Sequence, residues 1–178
     1  MDQWSTDDNP RGLYLLADLV NAVQDGTGAT PAGLEAVVEA HGGPPLLLAE
    51  TTAMEMREAV GVIAEILDLD DEDCAAEAIN ALLDQYPARP RLERVPERRW
   101  SLRAAAPHDA QPARWLLSTA ALALALWLSE RGYCAWGRCI APGCGRYFID
   151  TGRRTPQRYC STRCGTRVRV AAHRDRSR

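Results

Sequence analysis

Four cysteines close to the C-terminal end restrict what this chain can fold into more than any other feature. Cys139 and Cys144 enclose the four residues Ile-Ala-Pro-Gly, and fifteen residues later Cys160 and Cys164 form a second close pair. Zinc in structural sites favours a closed tetrahedral shell of four thiolates, and ligand pairs on short turns let two chain segments converge on one ion. The spacing is not Cys-x-x-Cys and no alternation of strand and helix surrounds it, so a thiol redox site fits less well. Between the pairs, Tyr147-Phe148-Ile149, a turn at Gly152 and Arg158-Tyr159 predict a hairpin, with the last ligand pair opening a helix. That order is treble-clef-like. About forty-five residues with few large apolar side chains cannot bury a sufficient core unaided. Structural zinc binding worth roughly 10 to 16 kcal/mol would make folding and occupancy one event. Buried or free thiols are the plainer alternative. Cys134 also stands before Cys139 with four residues between, so spacing alone permits that pair. The Ala141-Pro142-Gly143 turn favours Cys139 with Cys144 and leaves Cys134 a structural residue.

Charge divides the chain near the same place. Residues 131–178 carry twelve arginines and two acids, a net +10, whereas residues 1–130 carry nine arginines and twenty-two acids, a net −13. The formal charge of −3 therefore hides two opposed blocks. A basic face attracts polyanions, so body and appendage are expected to meet different partners. We divide the 178 residues into a helical domain over 1–130 and a zinc finger with a basic C-terminal helix over 131–178. No lysine occurs; all twenty-one basic residues are arginine, which a GC-rich coding bias would also produce. Met1 to Pro10 is acidic and polar, without the basic flank and apolar stretch of a secretory signal, so a cytoplasmic location is expected. The apolar run Trp115 to Leu128 is 14 residues long and includes Ser118 and Thr119, short of the ~20 residues of a bilayer span. It reads as a core helix, and no membrane partner is expected. In a reducing compartment six cysteines are ligands or buried thiols rather than disulfides.

The body reads as mostly helical. Asn9-Pro10 begins a first helix carrying Leu13, Leu16, Val20 and Val23, stopped by Asp25-Gly26. Thr30-Pro31 starts a second, with Leu34, Val37 and Val38, ended by His41-Gly42-Gly43. A capping box of Thr52 and Glu55 opens a third, whose stripe is Met56, Val60, Ile63 and Leu67. Asp70 to Asp73 cap a fourth, with Cys74, Ala78, Ile79, Leu82, Leu83 and Tyr86 turned inward. From Arg91 to Arg103 the period becomes two. Trp100 and Leu102 alternate there against Arg99, Ser101 and Arg103 beyond a Pro96-Glu97 turn, which predicts a short hairpin. Asp109 caps the long apolar helix and Gly132 closes it. The expected fold class is mainly α, with a helical N-terminal domain, a short β-hairpin and a small C-terminal four-cysteine zinc finger.

The C-terminal segment resembles the CGNR zinc finger, with Cys139, Cys144, Phe148, Asp150, Arg158-Tyr159-Cys160 and Cys164-Gly165-Thr166-Arg167 at its motif positions. Thr166 stands where that family has Asn, which leaves the ligand positions intact and bears only on contacts of the Asn amide. Upstream, Leu16-Ala17-Asp18-Leu19-Val20-Asn21 is similar to the start of the ABATE domain that usually precedes this finger, with Ala22 where Thr is usual. Together the two resemblances cover most of the chain. They imply a stress-induced bacterial transcription regulator whose finger binds DNA.

The arginines point the same way. In a helix over Thr162 to Arg176, about 100° per residue sets Arg163, Arg167, Arg174 and, if the turn continues, Arg178 on one stripe beside Val168, Ala171 and Ala172. Arg169 adds to this helix, and Arg153, Arg154 and Arg158 form a second cluster on the hairpin. Guanidinium groups hold phosphates bidentately and read guanine edges in the major groove. We expect Zn2+ as cofactor, DNA as partner, and a helical domain serving regulation or dimerisation, with a homodimer as the candidate assembly. The alternatives are a zinc-stabilised module docking on an acidic protein partner, or a solvated basic tail. The finger docking on its own acidic body is a third, with Asp70 to Asp73 as a candidate patch, although acids at a helix N-terminus already have a capping role. His41, His108 and His173 have no nucleophile or metal partner in the pattern, so no enzyme is expected. Asp18 and Asn21 share a helical face and are candidates to line a small-ligand pocket, against the commoner reading of satisfied polar groups near a helix end.

Overall fold

The computed structural model describes residues 10–94, 100–105, 111–152 and 156–176. Helices α1 (Pro10–Asp25), α2 (Pro31–Ala40) and α5 (Pro112–Arg131) each open on proline, whose fixed φ suits the first helical position and whose missing N–H is not needed there. Thr30 caps α2, its hydroxyl accepting from the Gly33 N–H at 3.2 Å. A Cβ at Gly33 would lie 1.8 Å from the Thr27 carbonyl oxygen, so the close approach of the 3-10 turn Thr27–Ala29 requires glycine there. Helix α3 (Glu50–Leu67) starts from Ala49 and not from the predicted capping box at Thr52. The extended Ala49 offers its carbonyl to the Ala53 N–H and the Thr52 hydroxyl, both at 2.9 Å, which leaves Thr52 inside the first turn. Asp71 caps α4 (Glu72–Gln85) by accepting from the Cys74 N–H at 2.9 Å. Cys74, expected to face inward, is exposed: the buried face runs through Ala75, Ile79 and Leu82, and Cys74 is turned about 100° off it. The predicted Asn9 cap, the Pro96-Glu97 turn and His108 lie outside the described residues. The cap of α5 is Gln111 and not the predicted Asp109, because Pro112 takes the first helical position and the Gln111 carbonyl accepts from the Trp115 N–H.

Helix α5 is the hub. It packs on α1, α3 and α4, and its Leu116, Ala120, Leu124 and Trp127 share one buried core with Leu13 and Leu16 of α1, Met56 and Ile63 of α3 and Ile79 of α4. At 20 residues it is long and apolar enough to cross a bilayer by composition, and 50% of its apolar window is buried inside the fold, where it serves as core. Its end at Gly132 is a left-handed cap, φ 70°, whose N–H donates to the Leu128 carbonyl at 2.8 Å. Strands β1 (Arg89–Glu93) and β2 (Ser101–Ala105) pair antiparallel with Leu92 opposite Leu102. This hairpin rests on α5 through β2 and leaves Leu92, Trp100 and Leu102 exposed.

Two shorter strands, β3 (Trp136–Arg138) and β4 (Tyr147–Ile149), and helix α6 (Thr162–Arg176) complete the chain. The apolar core runs without a break from the helices into β3 and β4, because Ala135, Trp136, Tyr147 and Ile149 are buried with the helical residues. Strand β4 lies against α1. The result is a mainly α fold with a short hairpin and a C-terminal four-cysteine finger.

Candidate metal centre and arginine surface

The β3–β4 ladder sets Trp136 opposite Ile149, Gly137 opposite Phe148 and Arg138 opposite Tyr147. It runs one step further, with the Cys139 N–H donating to the Arg146 carbonyl at 2.8 Å. There the chain reverses: the Cys144 N–H donates to the Ala141 carbonyl at 3.0 Å, and Gly143 and Gly145 take left-handed φ values of 69° and 63° that a Cβ disfavours. This knuckle gathers the first two sulfurs. Beyond β4, the buried Asp150 carboxylate accepts from the Gly152 N–H at 2.8 Å and the Gln157 N–H at 2.9 Å, which holds both backbone groups to one side chain. The Ile140 N–H donates to the Arg158 carbonyl at 3.1 Å, which aligns the approach to Cys160. At the start of α6 the Ser161 hydroxyl accepts from the Cys164 N–H at 3.3 Å, so Cys164 lies in the first helical turn.

The four sulfurs lie within 4.8 Å of one another. Cys144 to Cys160 is 3.6 Å, Cys164 to Cys144 is 3.7 Å and Cys160 to Cys164 is 3.8 Å. A tetrahedral shell with metal–sulfur bonds of about 2.3 Å has edges of about 3.8 Å, so these side chains fit a four-thiolate metal site. Burial opposes a thiolate at Cys139, yet hydrogen bonds from the Cys160 and Ala141 backbone and the Cys144 and Cys160 thiols bring it down to about 7. Burial, then hydrogen bonds with Cys144, Cys139 and Cys164, push Cys160 up to about 12. Cys139 is thus favoured as a thiolate and Cys160 as a thiol, and a bound cation would favour the charged form of a thiolate beside it. Phe148 and Ala141 cover the cluster, with Tyr159 and Val168 packed on them. Cys134 stands apart, its thiol donating to the Asp71 carbonyl at 3.7 Å and pushed up to about 11 by burial and then by Glu72, Asp70 and Asp71.

Sequence reasoning did not assign the role of joining this centre to the helices to the residues that perform it. Asn21, 3% exposed, donates from Nδ2 to the Tyr147 carbonyl at 3.0 Å and accepts at Oδ1 from the Tyr147 N–H at 2.8 Å. Its amide replaces a strand neighbour for β4. Asp68, just past α3, accepts from Arg138 Nε at 2.6 Å and Nη2 at 2.7 Å, and from the Tyr147 hydroxyl at 2.8 Å. The Arg138 guanidinium holds Asp68 below the usual carboxylate range, while burial and the Asp68 hydrogen bond push Tyr147 up to about 12. Arg146 meets Asp25 at 3.5 Å. The other proposed pocket residue, Asp18, meets His41 Nε2 at 3.0 Å, which gives that histidine a partner the pattern had not predicted. Both polar groups expected at a ligand pocket are thus committed to protein partners. The finger does dock on body acids, at Asp68 and Asp25, whereas Asp71 of the suspected patch is a helix cap. The strand expected at Tyr147-Phe148-Ile149 is present, but its partner is β3 (Trp136–Arg138) and not Arg158-Tyr159 across Gly152: the Cys139–Cys144 turn closes the hairpin, and Arg158 follows it outside any strand.

The predicted arginines fall into a different group. Arg158, Arg163, Arg167, Arg169 and Arg174 are exposed, and none pairs with a carboxylate among the described residues. Arg167 donates to the Pro142 carbonyl at 3.2 Å and Arg169 to the Thr166 hydroxyl at 3.0 Å. Arg153, Arg154 and Arg178 lie outside the described residues.

A search of curated proteins finds no match to the chain. Two family models do match. The CGNR zinc finger covers residues 136–177. The ABATE family, described as "Putative stress-induced transcription regulator", covers residues 14–130. With about two thirds of its length inside that second match and the four sulfurs gathered inside the first, the chain belongs to the ABATE family and carries a CGNR zinc finger.

Proposed function

We propose that the protein is a zinc-dependent, DNA-binding transcription regulator that works in the cytoplasm and is not an enzyme, with the finger over 131–178 contacting DNA. The helical domain over 1–130 serves regulation or dimerisation. Four thiolates close the coordination shell of zinc, which leaves a structural cross-link rather than an open catalytic position. Cys139, Cys144, Cys160 and Cys164 hold it.

One observation carries the DNA reading: the finger's arginines are sorted by partner. Arg138 and Arg146 are neutralised against Asp68 and Asp25, while Arg158, Arg163, Arg167, Arg169 and Arg174 meet no described carboxylate. Guanidinium groups without a described carboxylate partner suit phosphate contact, and a helix about 10 to 12 Å across suits the roughly 12 Å width of the major groove. On α6, Arg163, Arg167 and Arg174 follow one stripe, and Val168 turns inward to the cysteine cluster. Arg153 and Arg154 extend the basic surface in this reading.

Duplex binding titrated against salt tests it. Log affinity should fall with log salt at a slope near about −0.9 per phosphate neutralised. The pair Arg163→Ala and Arg167→Ala should flatten that slope by roughly 2, and Arg146→Ala should leave it unchanged. Elemental analysis should return one zinc per chain. If no duplex shifts at low salt, the same surface is better read as a docking face for an acidic protein.

A further inference from the structure

The cysteine centre takes its ligands from two segments that are held in unequal ways. Cys139 and Cys144 sit on the β3–β4 hairpin, which the helical body fixes from several sides. Trp136, Tyr147 and Ile149 are buried in the body's core. Trp136 Nε1 donates to the Leu69 carbonyl at 3.2 Å and Trp127 Nε1 to the Ala135 carbonyl at 3.1 Å. The Asn21 amide and the Asp68 carboxylate complete the clasp. None of these ties involves sulfur.

Cys160 and Cys164 have no such support. Apart from sulfur, Gln157 and Arg158 meet Asp150 and Ile140, Arg167 meets Pro142, and Tyr159 and Val168 pack against the small cluster around Phe148. Beyond Val168, residues 169–174 are exposed. Strand β4 is the boundary between the two regimes: Tyr147 and Ile149 face the helical core, and Phe148 faces the cysteines.

We infer that the finger is folded in halves: the helical body alone holds β3–β4, and α6 keeps its place only while the four cysteines share a metal. Loss of the ion then detaches the arginine-bearing helix and leaves the rest of the molecule intact, so binding is switched without global unfolding and restored by reloading. The regulatory consequence rests on the reading of α6 as the DNA-contacting element. The folding statement does not.

Hydrogen exchange read by mass spectrometry tests the halves on the full chain, zinc-loaded, then stripped by a chelator under reducing conditions, then reloaded. Exchange in peptides from 162–174 should rise at least about tenfold on stripping and return on reloading, while peptides from 12–25 and 134–150 stay within about twofold. The double variant Cys160→Ser with Cys164→Ser should reproduce the stripped pattern in the presence of zinc. A rise spreading through α1 and β4 would overturn the inference, because the metal would then fold the whole unit. An unchanged α6 would overturn it as well. Duplex binding followed on the same samples separates the two claims: a loaded protein that binds no duplex removes the DNA reading, and the exchange pattern still decides the folding of the halves.

Discussion

At Asn21 a single amide takes the place of a neighbouring strand, satisfying both the N–H and the carbonyl of Tyr147 inside the fold. Asn21→Ala removes both partners and leaves two buried backbone groups unpaired, a cost of about 2 to 4 kcal/mol. Urea unfolding of the metal-loaded protein should show a lower midpoint with an unchanged slope. Asp68 makes a different kind of contact, because its side chain is 41% exposed and solvent screens the pair with Arg138. The difference in stability between wild type and Asp68→Asn should therefore stay within about 1 kcal/mol. Its pH dependence has a definite sign. The Arg138 hydrogen bond lowers the folded pKa of Asp68 from its usual 3.8, so the charged form stabilises the fold above that value and the contribution fades as pH falls through the folded pKa. Paired unfolding curves should keep a constant gap from about pH 5 to 7 and close it below about pH 4.

At the scale of elements, β4 and α6 are opposites. Strand β4 is three residues long and buried on both faces, whereas α6 has fifteen residues, of which 169–174 are exposed. A helix break in that exposed part should therefore be silent in stability. Ala171→Pro disrupts the last turns at a local cost of roughly 3 kcal/mol, beyond the contacts of Cys164 and Val168 with the cluster. Metal content and thermal midpoint should match wild type, while duplex affinity falls through displacement of Arg174. Helix α4 shows what periodicity alone leaves open. Its apolar residues permit a stripe beginning at Cys74 or at Ala75, and the neighbours on α5 select the second. Helix α3 shows a similar limit, since Thr52 and Glu55 satisfy the capping pattern although the helix has already begun at Glu50.

For the whole molecule, the finger and the helices share one core although charge and composition divide them. A peptide of residues 131–178 would expose Trp136, Tyr147 and Ile149 and lack Asn21 and Asp68. Loaded with zinc, that peptide should leave residues 136–149 without the dispersed amide resonances seen in the full chain. The expectation that forty-odd residues and one ion form a self-sufficient unit considered the metal as the remedy for a small core. A second remedy is present here, because the adjoining helices supply the missing apolar partners for β3 and β4.

The chain's own order determined whatever acts over a few residues: the proline-opened helices, the Thr30 and Asp71 caps, the glycine knuckle between Cys139 and Cys144, and the concentration of arginine near α6. Backbone geometry and covalent spacing carry such information directly. Only the tertiary structure decided that Asn21 serves Tyr147, 126 residues away, that Asp68 and Asp25 neutralise Arg138 and Arg146, and that Cys74 points outward. Those choices depend on which surfaces meet when the apolar faces close. Polar groups enclosed by that closure must find partners wherever the packing leaves them.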